Sequence, residues 1–334
     1  MEGCVSTIGR KYKEDLDQQV KDPFLGDYLK IVQSKAYRRL AFKTQVLSLP
    51  DNPHVRTRLI HTGEVMAISI MIADALGLNK NLCMAIAAGH DIGHTPYGHL
   101  GERVLSECRG SPFCHNINGV VLAQHVERRG QGLNLTYETL EGILKHNRET
   151  TIPDFGKDEP REHAAVTYAD KIAFTFSDLN DAVRYGYIDG GNLPGCAIEL
   201  GATQTIREHN TLNALVAESR EKGAVSFSEG SVFANFDELY TVLLEKFYLK
   251  IDFSIQEMIL RKLYRNISEI SDIDPSFLVS MLTDKEANRF GELMSNCSKP
   301  SVKDINHCGL FEILPYLTDK KIDYSDPDLG WKPR

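Results

Sequence analysis

The segment Gly89–His99 carries His90, Asp91, His94 and His99. An adjacent His-Asp pair followed by further histidines is a natural anchor for a metal ion, because imidazole and carboxylate are ligands that many divalent cations accept. Gly93, Pro96 and Gly98 break a helix and let the backbone fold over whatever the aspartate holds. Helix packing supplies two more ligands. His61 opens one helix and His90-Asp91 closes the next, so antiparallel packing of that hairpin brings them together. Asp170 stands on a later long helix among Tyr168, Ile172 and Ala173, where a carboxylate needs a partner charge. His61, His90, Asp91 and Asp170 are therefore candidate ligands of one divalent ion: Mn²⁺, Fe²⁺, Ni²⁺, Co²⁺ or Zn²⁺, or Mg²⁺ with added water. Such a set leaves positions for water and a phosphate oxygen, which points to Lewis-acid hydrolysis. Taken alone, His61 or Asp170 reads more readily as a hydrogen-bonded core histidine or a helix-capping aspartate than as a ligand.

The elements that must position these residues are helical. Val65, Ile68, Ile72 and Leu76 recur at helical spacing ahead of Gly77, and Asn79 is a cap for the helix that runs into His90. Helical patterns continue over 99–108, 116–129, 136–147, 162–186, 233–249 and 255–267, with a last one near 302–317. Pro50–Pro53 and 151–160 read as loops, and the Gly-rich stretch 189–195 as the clearest break. No stretch alternates long enough for a substantial sheet, so the fold class is all-α. The expected organisation is an N-terminal arm of short helices (1–34), a core (35–190) and a helical C-terminal region packed on it (191–334).

Composition is that of a globular protein of 334 residues, 42% hydrophobic and 25% charged. A net charge of −8 gives no global field for nucleic acid or an anionic membrane, so cations for a polyanionic substrate must be placed locally. The seven cysteines include no C-x-x-C pair and fit reduced thiols. With no secretory signal, membrane-spanning run or lipidation motif, the expected compartment is cytoplasmic and no membrane partner is expected.

The order His61, His90-Asp91, Asp170 resembles the metal set of the HD phosphohydrolase superfamily. The flanking motifs resemble one family within it, the deoxyguanosine triphosphate triphosphohydrolase-like enzymes. The matching stretches are Ser34-Lys-Ala-Tyr-Arg-Arg-Leu-x-x-Lys-Thr-Gln-Val46, Arg56-Thr-Arg-Leu-x-His-x-x-Glu-Val65 and His90-Asp-Ile-Gly-His-Thr-Pro-Tyr-Gly-His-x-Gly-Glu102. Further on come Phe113-x-His-Asn116, the run from Gly132 to Leu-Lys-His-Asn147, and Ala169-Asp-x-Ile-Ala-Phe-x-x-x-Asp-Leu-x-Asp-Ala182. These cover roughly residues 27–186. Met281-Leu-Thr-Asp284 looks like a late family segment.

The resemblance implies an HD-domain helical bundle that hydrolyses a deoxynucleoside triphosphate to deoxynucleoside and inorganic triphosphate, with one Mn²⁺, Mg²⁺ or other divalent ion per site. His99 is the first choice to protonate the leaving 5′-oxygen. Glu102, one helical turn on, can reach its imidazole, and the pair resembles the family's catalytic dyad. His115 is the second candidate for proton transfer, and His94 is assigned to a phosphate. Arg58, one turn before His61, and Lys171 and Lys145 are candidate triphosphate contacts; Arg38, Arg39 and Lys43 serve the pocket or a subunit interface. By resemblance, Asp178 accepts the sugar 3′-hydroxyl, and Phe174 stands where relatives usually carry a tyrosine that crowds out a 2′-hydroxyl. Gly63, for a larger apolar residue, and Ser177, for histidine, also depart from the family pattern. A homo-oligomer and a nucleotide or single-stranded DNA effector are further expectations of the family. The alternatives are another HD phosphohydrolase, either a nucleotidase or a signalling-nucleotide phosphodiesterase, or a non-catalytic nucleotide-sensing HD scaffold.

Overall fold

The computed structural model describes residues 3, 7–14, 21–47, 54–147, 159–296, 314–317, 320 and 322–331. Its helices begin with Pro23–Val32 (α1), Lys35–Arg39 (α2), Arg58–Leu76 (α3), Lys80–Gly89 (α4) and His99–Arg109 (α5). His115–Val121 (α6), the single turn Glu127–Gly130 (α7), Tyr137–Lys145 (α8) and Arg161–Arg184 (α9) follow. Beyond them come Gly195–Leu200 (α10), Gln204–Lys222 (α11), Gly230–Lys246 (α12), Ser254–Ile270 (α13), Pro275–Ser280 (α14) and Asp284–Asn296 (α15). Among the described residues the only β pairing is two isolated bridges, Arg10–Thr136 and Thr44–Thr57. The fold is all-α, as expected.

Caps set where the two site-bearing helices start. Thr57 Oγ1 accepts the amide of Ile60 at 3.5 Å, and Asn79 Oδ1 accepts those of Asn81 and Leu82 at 3.0 and 3.2 Å. Gly77, at φ 70°, stops α3 in the left-handed conformation. Val65, Ile68, Ile72 and Leu76 form the buried stripe of α3, against Leu82, Cys83 and Ile86 of α4. The third member, α9, meets them with Ala164, Ala165, Ala169 and Ala173, small enough for close helix approach. Each fully buried Ile or Leu contributes about 1.5–3 kcal/mol, so this three-helix contact is a stiff frame for the residues at its end. α11 and α12 join the same core through Leu215, Phe236 and Leu243. A second core unites α5, α6 and α8 with α13, α14 and α15 through Val104, Val121, Ile143, Leu260 and Phe277. Among the described helices only α3 combines the length and hydropathy of a membrane span, and its stripe is packed into the first core.

Two expectations need correction. The pattern over 116–129 is not one helix. α6 ends at Val121, a wide π-type turn spans Leu122–Val126, and Arg128 and Arg129 take φ of 52° and 59°. The chain turns back because its carbonyls find partners there: Ala123 O accepts Leu133 N at 2.7 Å and Glu127 O accepts Gly132 N at 2.8 Å. The Glu127 carboxylate adds to this by accepting the amides of Lys35 and Ala36, both at 2.9 Å. The described residues of the N-terminal arm before α1 are not helical either. Thr7 Oγ1 donates to Glu138 at 2.7 Å and Arg10 donates to Asn134 O at 2.6 Å, which lays residues 7–14 against the start of α8. Pro50–Pro53, most of 151–160 and most of 302–317 lie outside the described residues; Leu314–Tyr316 is one 3₁₀ turn.

Candidate active site

His61 in the first turn of α3, His90 just past α4 and Asp170 in the middle of α9 converge where the three helices pack. Their ligand atoms lie within 4.8 Å of one another. His61 Nε2 is 2.9 Å from Asp170 Oδ1, and His90 Nε2 is 3.8 Å from the same oxygen. Two ligands about 2.1 Å from one ion and at right angles lie about 3 Å apart, so this spacing suits co-ligands. The orphan atoms agree. His90 Nδ1–H donates to Ala87 O at 2.7 Å, leaving Nε2 as a bare lone pair that is buried and has no partner. Burial pushes the Asp170 carboxyl up, but His61 and then His90 outweigh it and bring it down to about 2, so it stays anionic. A divalent cation fits this donor set.

Asp91 stands slightly apart. Its Oδ1 is 3.5 Å from His90 Nε2, and Arg58 Nη1 donates to its Oδ2 at 2.8 Å. Burial opposes the Asp91 charge, but His90, Arg58 and His94 hold the carboxyl well below the usual carboxylate range. Arg58 is itself buried, 2% exposed, so the two ions depend on each other. Gly93 and Gly98 make room for this packing. A Cβ on Gly93 would come within 2.1 Å of His115 O, and one on Gly98, at φ 60°, within 2.6 Å of Arg58 Nη2.

The expected pair His99–Glu102 is made, His99 Nδ1 lying 2.6 Å from Glu102 Oε2 at the start of α5. Glu102 does more than its spacing suggests. Its Oε1 accepts both the backbone amide of His115 at 2.6 Å and His115 Nδ1–H at 2.7 Å, joining two histidines from two helices. Burial alone would raise the Glu102 carboxyl, but His115 and then His99 outweigh it and hold it well below the usual carboxylate range. Burial likewise opposes a charge on His115, and Glu102 more than offsets it, raising the imidazole. His94 stacks on His115 with centroids 3.8 Å apart, and burial, Arg58 and His115 keep it neutral. His146 completes the cluster: its Nε2 is 3.0 Å from His115 Nε2, and burial, then His115 and His90, bring it down to about 3. Spacing did not single out His146. Its sequence signal is the Leu-Lys-His-Asn147 motif, where it follows Lys145 directly.

These residues line a cleft of about 450 Å³, within the range of small-molecule sites. Arg58, His61, Asp91, His94, His99, Glu102, His115, Asp170, Lys171 and Phe174 all face it. His90 lies behind them, fully buried. Phe174 meets Tyr240 of α12 at 5.9 Å between centroids, and Phe236 closes the same end, so the C-terminal region supplies two aromatic walls that the motifs do not announce. Two candidates are not brought to the cleft lining. Lys145 pairs with Glu141 at 2.9 Å and Glu159 at 3.0 Å. Asp178 is buried and accepts the hydroxyl of Tyr248 at 2.6 Å; burial, opposed by that hydrogen bond, pushes it up to about 7. Lys43 is also buried, donating to His94 O and to Ser280 O, and so braces the histidine loop from below. Asp284 braces it from the other side. It accepts Tyr97 N and Thr44 N, each at 3.0 Å, which holds Tyr97 at φ 59°.

Residues 58–175 match the HD domain family. A deoxyguanosinetriphosphate triphosphohydrolase-like protein of Clostridium tetani is 38% identical over 241 residues, 72% of this chain and 68% of its own length. A relative of the same description from Clostridium perfringens strain SM101 is 34% identical over 313 residues, covering 86% of this chain and 91% of its own. Another, from Caldanaerobacter subterraneus, is 38% identical over 238 residues, 71% and 68% of the two chains. The chain belongs to the deoxyguanosinetriphosphate triphosphohydrolase-like family of HD-domain phosphohydrolases.

Proposed function

We propose that this phosphohydrolase cleaves deoxynucleoside triphosphates, dGTP among them, into deoxynucleoside and inorganic triphosphate. One observation carries the reading: the His99–Glu102–His115 group opens onto the same cleft as His61 and Asp170, with the aromatic wall of Phe174 and Tyr240 at that cleft too. A divalent cation held by His61, His90 and Asp170, with Asp91, would supply Lewis-acid polarisation of a phosphate oxygen and a more acidic water.

The chain's own groups do the rest. Arg58 and Lys171 present positive charge, and His94 a neutral imidazole, to the triphosphate from the floor and walls of the cleft. Water adds to the α-phosphorus, the bond to the sugar 5′-oxygen breaks, and that oxygen needs a proton. His99, 73% exposed on its side chain, lines the cleft, and Glu102 holds its Nδ1 edge and so presents Nε2 as the donor. His115, held by the same carboxylate, is the reserve of positive charge behind it. Phe174 and Tyr240 give the deoxyribose a flat apolar wall. Asp178, under Tyr248, lies behind that end, one helical turn from the lining residue Phe174.

The experiment is to incubate the protein with each dNTP and each NTP in Mn²⁺ or Mg²⁺ and resolve the products by ion exchange. Tripolyphosphate from dNTPs, lost in Asp91→Ala and His99→Ala, is the expected result. Orthophosphate or pyrophosphate as the first product would overturn the reading.

A further inference from the structure

The cleft runs between the two cores. α9 and α12, with Lys171, Phe174 and Tyr240, belong to the first, and α5, with His99 and Arg103, belongs to the second. Among the described residues, Arg58, Arg103 and Lys171 are the arginine and lysine side chains that line the cleft. Arg58 is buried against Asp91, and the charge of Lys171 is countered by Asp170 and Asp237. Arg103 differs. Its side chain is 53% exposed, and it stands one helical turn after His99 on the same face of α5. Its Nη1 donates to Glu107 Oε1 at 3.1 Å, and its Nη2 donates to Glu257 Oε2, on α13, at 3.0 Å. Both carboxylates are shared with a second arginine, since Arg261 donates to Glu257 Oε1 at 2.7 Å and also to Glu107. All four side chains are between 31% and 53% exposed, so water and salt weaken the hold on Arg103.

We propose that Arg103 is a substrate-binding residue that exchanges Glu107 and Glu257 for the terminal phosphates of the nucleotide. His99 addresses the bond between the 5′-oxygen and the α-phosphorus, and the sugar lies on the Phe174 and Tyr240 wall of the other core. The side chain one turn beyond His99 therefore meets what lies across the scissile bond from the sugar, the phosphate chain. A phosphate is a better partner than either carboxylate, because it carries denser charge and offers two oxygens to the guanidinium fork. The charge of the cleft favours the exchange. Asp91, Glu102 and Asp170 line it as anions, so an entering polyanion needs every cation that can turn inward. Arg261 sets the strength of the hold by competing with Arg103 for the same two carboxylates. Removing Arg261 tightens the grip on Arg103, and removing the charge of Glu257 loosens it. A plain surface tie between α5 and α13 would be weakened by both.

The proposal rests on the reading of the cleft as a dNTP site, and the test separates the two. Full-length protein in excess Mn²⁺ is titrated with inorganic tripolyphosphate by calorimetry, and KM and kcat are measured on dGTP. Arg103→Ala should weaken tripolyphosphate binding and raise KM about 10–100-fold with a much smaller change in kcat, and Arg103→Lys should recover part of the loss. Glu257→Gln should tighten tripolyphosphate binding about 2–5-fold, and Arg261→Ala should weaken it. The double variant of Arg103→Ala and Glu257→Gln should bind no better than Arg103→Ala alone. Circular dichroism melts exclude any variant that does not fold, and Arg103→Lys and Glu257→Gln, which keep the side-chain length, keep the test decisive. Tripolyphosphate binding by Arg103→Ala equal to wild type, or shifts in the same direction for Glu257→Gln and Arg261→Ala, overturn the proposal and leave the dNTP reading standing. Orthophosphate released from dGTP by the wild type overturns that reading, while the tripolyphosphate titration, which needs no turnover, still decides the role of Arg103. No tripolyphosphate binding by the wild type overturns both.

Discussion

Glu102 and His115, thirteen residues apart on different helices, meet twice: one carboxylate oxygen accepts both the amide and the ring Nδ1–H of His115, at 2.6 and 2.7 Å. The other oxygen holds His99. Glu102→Gln keeps the shape, but its amide can accept from only one of the two rings and the negative charge is gone. A fall in kcat of about 10²–10⁴ with a small change in KM is expected, measured by steady-state kinetics on dGTP.

Arg58 and Asp91 are a buried ion pair in which each partner is stranded without the other. Arg58→Ala should lower stability by about 3–5 kcal/mol in a chelating buffer, read from denaturant unfolding. Added Mn²⁺ should recover part of that loss, because a cation near the stranded carboxylate takes over the role of the guanidinium. Equal losses with and without Mn²⁺ would contradict the assignment of Asp91 to a metal.

The candidate metal ligands His61, His90 and Asp91 are legible in the sequence because they sit at the ends of helices whose packing follows from a capped, striped hairpin. The same is true of His99–Glu102, a contact made within one helical turn. The Glu102–His115 bridge is not legible. Gly110 ends α5 between the two, and no periodicity relates residues on opposite sides of such a break. Tyr240 and Tyr248 are not legible either, since they reach the site or its supports only through tertiary packing of the C-terminal helices, and Asp284 is visible only as part of the Met281–Asp284 segment, without the contacts that give it a role. Helix 116–129 is overread because its apolar spacing persists through a π-type turn that only the returning chain stabilises.

Gly63 and Gly93 separate tolerance from constraint. A Cβ at Gly63 meets nothing within 4 Å, so Gly63→Ala should stabilise the protein by about 1 kcal/mol through helix propensity. Gly93→Ala would drive its Cβ into the backbone of His115 and Gly119, and should lower the melting temperature and detach His115 from Glu102. Thermal melts of the two variants check this directly.

Asp178 gives a pH signature. Its carboxyl is raised to about 7 by burial against the hydrogen bond from Tyr248, with His61 and Arg56 lowering it and Asp181 raising it. A raised folded-state value means that the protonated form is favoured by folding. That contribution is present below the unfolded value near 4 and is lost as pH rises toward and through 7. Asp178→Asn should therefore melt closer to, or above, wild type as pH goes from 5 to 8, by roughly 1–4 kcal/mol at the upper end. A gap that is constant with pH would contradict the buried, protonated carboxyl.

The account turns on which bond breaks. Hydrolysis of dGTP in ¹⁸O-labelled water, followed by mass spectrometry of both products, decides it. Attack at the α-phosphorus predicts one ¹⁸O in the inorganic triphosphate and none in the deoxynucleoside. Label in the deoxynucleoside, or label found only in orthophosphate, would contradict the account.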